Sequence, residues 1–219
     1  MFYGLKDGNG ISLDSKLDIL FNKKTDGFFI ELGANDGLLQ SNTAFFEKNR
    51  NWKGILIEPC VYNYNKCKIN RPNSICYNCA CVSNEYKNST IEGDFLIEND
   101  SNESLMFSIN SIRRNKKNLI SVSAITLEKI LDNELITADI DLLSLDVEGY
   151  EYEVLQGLNL NKYKPTYLLI EIYNNQYEKL INYLNCFNYK LLTNFSGYNK
   201  SNNPAWDGTH NDYLFILQK

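Results

Sequence analysis

Short apolar runs recur along the chain, and most are followed by a segment with helical spacing. "GFFIEL" (Gly27 to Leu32) precedes "SNTAFFEKN" (Ser41 to Asn49), which turns Phe45 and Phe46 to one side. "GILIEP" (Gly54 to Pro59), stopped by Pro59, precedes "YNYNKCKIN", and "SICYNCA" (Ser74 to Ala80) follows as a third run. Later, a strand inside "DIDLLSLDVEG" (Asp139 to Gly149) precedes "YEYEVLQGL", and "TYLLIEIY" (Thr166 to Tyr173) precedes "NQYEKLINYLNCF". At the start, "LDILFN" (Leu17 to Asn22) reads as a helix capped from "SLDS". Strands separated by helices cannot be hairpins; they are joined by crossovers and build a mostly parallel sheet of the α/β class. The last two runs, "YKLLTNF" and "DYLFILQ", have no helix between them and predict an antiparallel pair on one edge. The polar segment from Val82 to Ser123 breaks the alternation. It is too long for a plain loop and reads as a β-rich insertion or flap, with candidate strands "DFLI" and "SLMFSI".

With 219 residues, 43% of them hydrophobic, the chain can bury a core of its own, and residues 1–219 read as one domain with an insertion at 82–123. A formal net charge of -5 argues against nucleic acid as the partner, because phosphate neutralisation needs clustered Lys and Arg. The short basic run "IRRNKKN" (Ile112 to Asn118) reads as a solvated loop. No apolar run is long enough for a membrane span, and Gly, Lys and Asp interrupt the start where a signal peptide needs apolar residues. A cytoplasmic location is the expectation. "CYNCAC" contains a CxxC, but zinc wants a second knuckle or several histidines, and His210 is the single His. The six cysteines read as reduced thiols behaving as small hydrophobes.

In open α/β sheets ligands bind outside the carboxyl ends of the strands. Several runs here carry acids at that end: Glu31, Glu58, Asp146 with Glu148, and Glu171. Carboxylates crowded on one rim call for a cationic ligand, hydrogen-bond donors or a metal. "ELGANDG" is a strand-to-helix turn in which Gly33 and Gly37 would let backbone approach a ligand. Its spacing is loosely that of a dinucleotide loop, but Asn35 replaces the second glycine and two acids flank the turn, which suits pyrophosphate poorly. S-adenosylmethionine, with a sulfonium and an amino group, suits the acids better. Glu58, at the end of the next strand, is placed to accept bonds from ribose hydroxyls.

"FFIELGANDGLLQS", "GILIEP", "NCACVS", "AITLEKIL", "IDLLSLDVEGYEYEVLQGL" and "PTYLLIE" together resemble the ordered motifs of the FkbM family of S-adenosylmethionine-dependent methyltransferases, from Phe28 to Glu171. The resemblance implies a class I methyltransferase (Rossmann-like) fold, with a seven-stranded sheet of order 3-2-1-4-5-7-6 and an antiparallel last strand. It implies O-methylation of a hydroxyl on a sugar, glycan or related small molecule. Carried over by position, it puts Glu31, Gly33, Asn35 and Gly37 at the methionine part of the cofactor, Glu58 at the ribose, Cys79 and Ala80 beside the adenine, and counts Ser41 among the cofactor-binding residues. Asp146 falls near the amino-acid moiety and the methyl group. Ser144 stands where such sequences often have Lys.

Methyl transfer to oxygen needs in-line positioning and removal of one proton. The candidate bases are Asp146, Glu148, Glu171 and His210. Asp146 and Glu148, two residues apart, either face opposite ways or converge in the turn, and Glu148 is alternatively the structural anchor of "EGYE". Asp146, Glu148 and Glu171 are also candidate ligands for Mg²⁺ or Mn²⁺. Trp206 and nearby tyrosines suit stacking on a sugar ring. The rival reading is a catalytically silent methyltransferase fold acting as a binding module.

Overall fold

The computed structural model describes residues 1–93, 95, 119–204 and 206–218. Its main sheet has seven strands: β1 (Phe28–Leu32), β2 (Lys53–Ile57), β3 (Ile75–Tyr77), β7 (Leu142–Leu145), β8 (Tyr167–Tyr173), β9 (Tyr189–Asn194) and β10 (His210–Leu217). They lie in the order β3-β2-β1-β7-β8-β10-β9. β3, β2, β1, β7 and β8 are parallel, and β10 runs antiparallel to both β8 and β9. The expected α/β architecture and its antiparallel edge are therefore present. Strand order reverses between β1 and β7, the place where an open α/β sheet leaves a crevice.

The strands read as unbroken apolar runs because both faces of the sheet are covered. Successive side chains alternate between faces. Ile30, Leu32, Ile55, Ile57, Leu143 and Leu145 pack with α4 (Leu127–Asn133), α5 (Glu151–Gln156) and α6 (Tyr177–Asn185). Phe29, Leu56 and Leu142 face α1 (Leu13–Leu20) and α2 (Ala44–Arg50), with Trp52 between. Each large apolar side chain buried this way contributes about 1.5–3 kcal/mol.

α1 starts four residues before the expected segment, at Leu13, and Ser12 occupies its N-cap position without a side-chain cap bond. α3 (Val61–Asn70) follows β2. α4, which the periodicity did not single out, is capped by Thr126, whose hydroxyl accepts from Lys129 N. A smaller sheet, β4 (Ala80–Cys81), β6 (Ile120–Ile125) and β5 (Thr90–Gly93), stands beside the main one. β5 and β6 pair antiparallel across the expected insertion, and β6 runs past its expected end at Ser123. Of "DFLI" only Phe95 is described, while "SLMFSI" and the basic run lie outside the described residues. Among the described residues no helix is long and apolar enough to cross a membrane.

Candidate active site

A cavity of about 250 Å³ opens at the carboxyl ends of β1, β2, β7 and β8. From one side it is lined by Gly33, Asn35, Glu58, Cys79 and Ala80, and from the other by Asp146, Glu148, Tyr150, Glu171 and His210.

The turn after β1 uses the left-handed region three times, at Gly33 (φ 77°), Asn35 (φ 50°) and Gly37 (φ 83°). A Cβ at Gly33 would sit 1.8 Å from the Asp146 carbonyl oxygen, so only glycine lets the first turn lie against the end of β7. At Gly37 the Cβ would meet Arg71 Cγ at 2.7 Å. Gly33 borders the cavity; Gly37 packs behind it, and its glycine serves the protein's own packing. Glu58 holds the turn: Asn35 N donates to its Oε2 and Cys60 N to its Oε1, each at 2.8 Å. A carboxylate has about four acceptor sites, so about two remain for a ligand. Burial pushes the Glu58 carboxyl up to about 7.

Glu31 does not reach the cavity. Its carboxylate accepts from Ser41 Oγ at 2.8 Å, Thr43 Oγ1 at 2.7 Å and Asn42 N at 2.8 Å. Ser41 is spent on this network too, so Glu31, Gly37 and Ser41 sit one layer behind the lining. The reason is register. Glu31 lies on the Phe29 face of β1, beside Leu56 and Ser144, whereas the cavity gathers the residues just past the strand ends. Ser144 likewise faces inward, bonded by Asn42 Nδ2 at 3.1 Å. The residue that organises this layer was not expected from sequence. Arg71, fully buried, pairs with Glu47 at 2.7 Å and Glu31 at 3.6 Å. It also donates to Gly37 O, Ser41 Oγ and Thr43 Oγ1.

Across the cavity, Asp146, Glu148 and Glu171 each bring a carboxylate oxygen within 4.8 Å of the others. Asp146 and Glu148 converge because the chain leaves β7 at Leu145 and turns through positive φ at Glu148 (56°) and Gly149 (93°). The anchor of that turn is Glu151 rather than Glu148: its Oε1 accepts from Val147 N at 3.1 Å and Gly149 N at 3.0 Å. Tyr173 Oη donates to Glu148 Oε2 at 2.6 Å. His210 opens β10 instead of preceding it, and its Nε2 lies 3.2 Å from Glu171 Oε1. Its Nδ1 faces Thr209 Oγ1 at 2.9 Å and Asp207 Oδ1 at 3.6 Å. Asp212, a strand partner of Glu171, is a further buried acid that the sequence pattern did not mark.

Burial, followed by mutual repulsion, holds Asp146 and Glu171 well above the ordinary carboxylate range. Burial also lifts Glu151 to about 7 and Asp212 to about 6. The buried Glu171 carboxyl faces His210 and shares a hydrogen bond with the Asp146 carboxyl, which offsets part of the rise at Asp146. Among the described lining residues there is no Lys or Arg, so this wall suits a cation, or a hydroxyl about to lose its proton. The three carboxylates are the one group with metal-ligand spacing among the described residues, and the six cysteines are free thiols. Trp206 is not part of the lining; its indole donates to His210 O at 2.8 Å.

A comparison with curated proteins gave no match. Among solved structures, the chain is similar to precorrin-6y C5,15-methyltransferase from Geobacter metallireducens GS-15, with 10% identity over 93% of this chain and 86% of that one, TM-score 0.49. A TehB-like SAM-dependent methyltransferase from Corynebacterium glutamicum ATCC 13032 shows 7% identity over 94% and 88%, TM-score 0.46. A SAM-dependent methyltransferase from Geobacter sulfurreducens, in complex with S-adenosyl-L-homocysteine, shows 6% identity over 94% and 90%, TM-score 0.43. These likenesses are loose, and the class I assignment stands on the strand order itself. The family described as "Methyltransferase FkbM domain" matches residues 31–191. That match spans most of the chain, from Glu31 in β1 to Leu191 in β9, and the chain belongs to the FkbM methyltransferase family.

Proposed function

We propose that the protein is an S-adenosylmethionine-dependent O-methyltransferase acting on a hydroxyl of a sugar, glycan or related small molecule. One observation carries the reading. A buried carboxylate with spare acceptor sites, Glu58, lies beside the Gly33–Asn35 turn, across the same cavity from an acid wall that includes His210. When bound, S-adenosylmethionine supplies a sulfonium methyl group that is displaced in line by an acceptor oxygen. In this reading Glu58 takes the ribose hydroxyls, Cys79 and Ala80 border the adenine, and Gly33, Asn35 and Asp146 flank the amino-acid part. The cofactor's positive charge fits a lining whose acids have no Lys or Arg beside them among the described residues.

The Glu171–His210 pair is the proposed proton acceptor. A carboxylate at 3.2 Å orients the imidazole and stabilises its protonated form once the hydroxyl proton has moved. Asp146 and Glu148 supply the surrounding negative potential. The spacing of Asp146, Glu148 and Glu171 also fits a divalent ion such as Mg²⁺ or Mn²⁺, whose chemistry would be to lower the acceptor hydroxyl's pKa.

The test is transfer from methyl-labelled S-adenosylmethionine to a panel of neutral glycosides, with the product's methyl position read by NMR. A methyl ether on a hydroxyl carbon supports the reading. Methylation on nitrogen overturns it, and cofactor binding without transfer to any hydroxyl would favour the silent binding module.

A further inference from the structure

We infer that Cys67 and Cys76 close a reversible disulfide when the protein meets a small-molecule disulfide, with Cys76 as the attacking thiol and Cys67 as the resolving one. Oxidation then staples α3 to β3 behind the Gly33–Gly37 turn.

The fold sets these two thiols side by side. Cys67 lies in the second half of α3 and Cys76 in the middle of β3, and their Sγ atoms stand 3.8 Å apart. A disulfide bond is about 2.05 Å long, so closure needs about 1.8 Å of approach. Packing decides which sulfur moves. Cys67 is 1% exposed and is wedged against the first turn, where a Cβ built on Gly37 would lie 3.0 Å from its Sγ. Cys76 is only half-buried, and β3 is the end strand of the main sheet, paired with β2 on one side and with no other strand among the described residues. A side chain on such an edge can rotate, whereas one in close-packed surroundings is held. Cys76 is therefore the sulfur that meets the oxidant and then turns toward its partner.

The local electrostatics divide the roles in the same way. The hydrogen bond with Cys67 and the nearby Arg71 guanidinium hold the Cys76 thiol below its ordinary value, against burial and Glu47. That same hydrogen bond, with burial, pushes the Cys67 thiol up. The accessible sulfur is the better thiolate, and the buried one keeps its proton until it is needed. In the first step the Cys76 thiolate attacks one sulfur of a compound such as glutathione disulfide. A mixed disulfide forms, and one glutathione leaves as its thiolate and takes up the Cys67 proton. Cys67 Sγ then attacks Cys76 Sγ, forms the protein disulfide and expels the second glutathione as a thiolate. Two protein thiols are oxidised and one external disulfide is reduced to two thiols, and excess thiol reverses both steps.

The experiment uses the full folded chain, first reduced, then incubated with glutathione disulfide, quenched in acid, alkylated and mapped by peptide mass spectrometry. A Cys67–Cys76 disulfide that dithiothreitol removes is expected. The oxidised protein should melt on the order of 5 °C above the reduced one. Cys67→Ser should trap glutathione on Cys76, and Cys76→Ser should leave Cys67 unmodified. The wild-type map decides the matter even if either variant fails to fold. Both thiols still free after the exposed Cys186 has taken up glutathione would overturn the inference. So would glutathione that persists on Cys76 of the wild type, pairing of either thiol with another cysteine, or a Cys67–Cys76 bond that forms only in denaturant. Glutathione on Cys67 of folded Cys76→Ser would overturn the division of roles, and an unchanged or lower melting temperature on oxidation would overturn the staple.

Discussion

Behind the first turn, Glu31 and Glu47 face a buried guanidinium, Arg71, at 3.6 and 2.7 Å, and every oxygen of Glu31 has a donor. Across the cavity, Asp146, Glu148 and Glu171 crowd one another, with His210 Nε2 at 3.2 Å from Glu171 and Tyr173 Oη on Glu148. The first region sets a buried guanidinium against its acids, whereas in the second the acids stand within 4.8 Å of one another. A compensated acid is scaffold. Acids held close together and pushed toward their protonated forms are where a ligand's charge can be used.

The comparison breaks most visibly at Arg71. Arg71→Met leaves Glu31 and Glu47 buried without their cation and should cost about 3–5 kcal/mol, read by chemical denaturation. A loss under about 1 kcal/mol would mean that the first region is no better compensated than the second. Next in size is Gly33→Ala, which forces a side chain into the Asp146 carbonyl at positive φ. A cost of about 1–3 kcal/mol is expected, with weaker S-adenosylhomocysteine binding in calorimetry.

The pH dependence of cofactor binding sharpens the contrast. Glu58 is raised to about 7, above its ordinary value, so the folded protein keeps a proton there that the unfolded chain has lost. The stabilising contribution of that proton is present at low pH and is lost as pH rises from about 4.5 through about 7. Ribose hydroxyls donate to the ionised form. Affinity for S-adenosylhomocysteine should therefore rise about tenfold between about pH 6 and pH 8, and Glu58→Gln should flatten the profile. The smallest effect has the opposite sign to the first. In chelator-containing buffer at neutral pH, Glu171→Gln relieves repulsion and should stabilise the protein by about 1 kcal/mol. Destabilisation would mean that the acid wall is held by contacts equivalent to those of Arg71.

Much of the scaffold is legible in the sequence because strand and helix periodicities report on faces that must be buried. "GFFIEL" and "TYLLIEIY" carry that signal without help from distant residues, and the missing helix before "DYLFILQ" marks the antiparallel edge. The site is legible only in part. Glu58, Asp146, Glu148 and Glu171 stand just past or at strand ends and do meet in one cavity. Glu31 shares their pattern, but it lies level with Ser144 and Leu169, two residues short of the level of Glu171 on the same sheet face, and its carboxylate is taken up by Ser41, Asn42 and Thr43. Arg71 and Asp212 act through partners remote in sequence, and no local spacing announces them. Glu151 sits two residues from Gly149, where its role in holding the turn could have been read from the need to satisfy backbone N–H groups at a helix start.

The most direct measurement is calorimetric titration of the purified protein with S-adenosylhomocysteine, beside Glu58→Ala and beside NAD⁺. Saturable binding that falls about tenfold or more in Glu58→Ala, with none for NAD⁺, is the predicted result. A folded wild-type protein that does not bind S-adenosylhomocysteine would contradict the account.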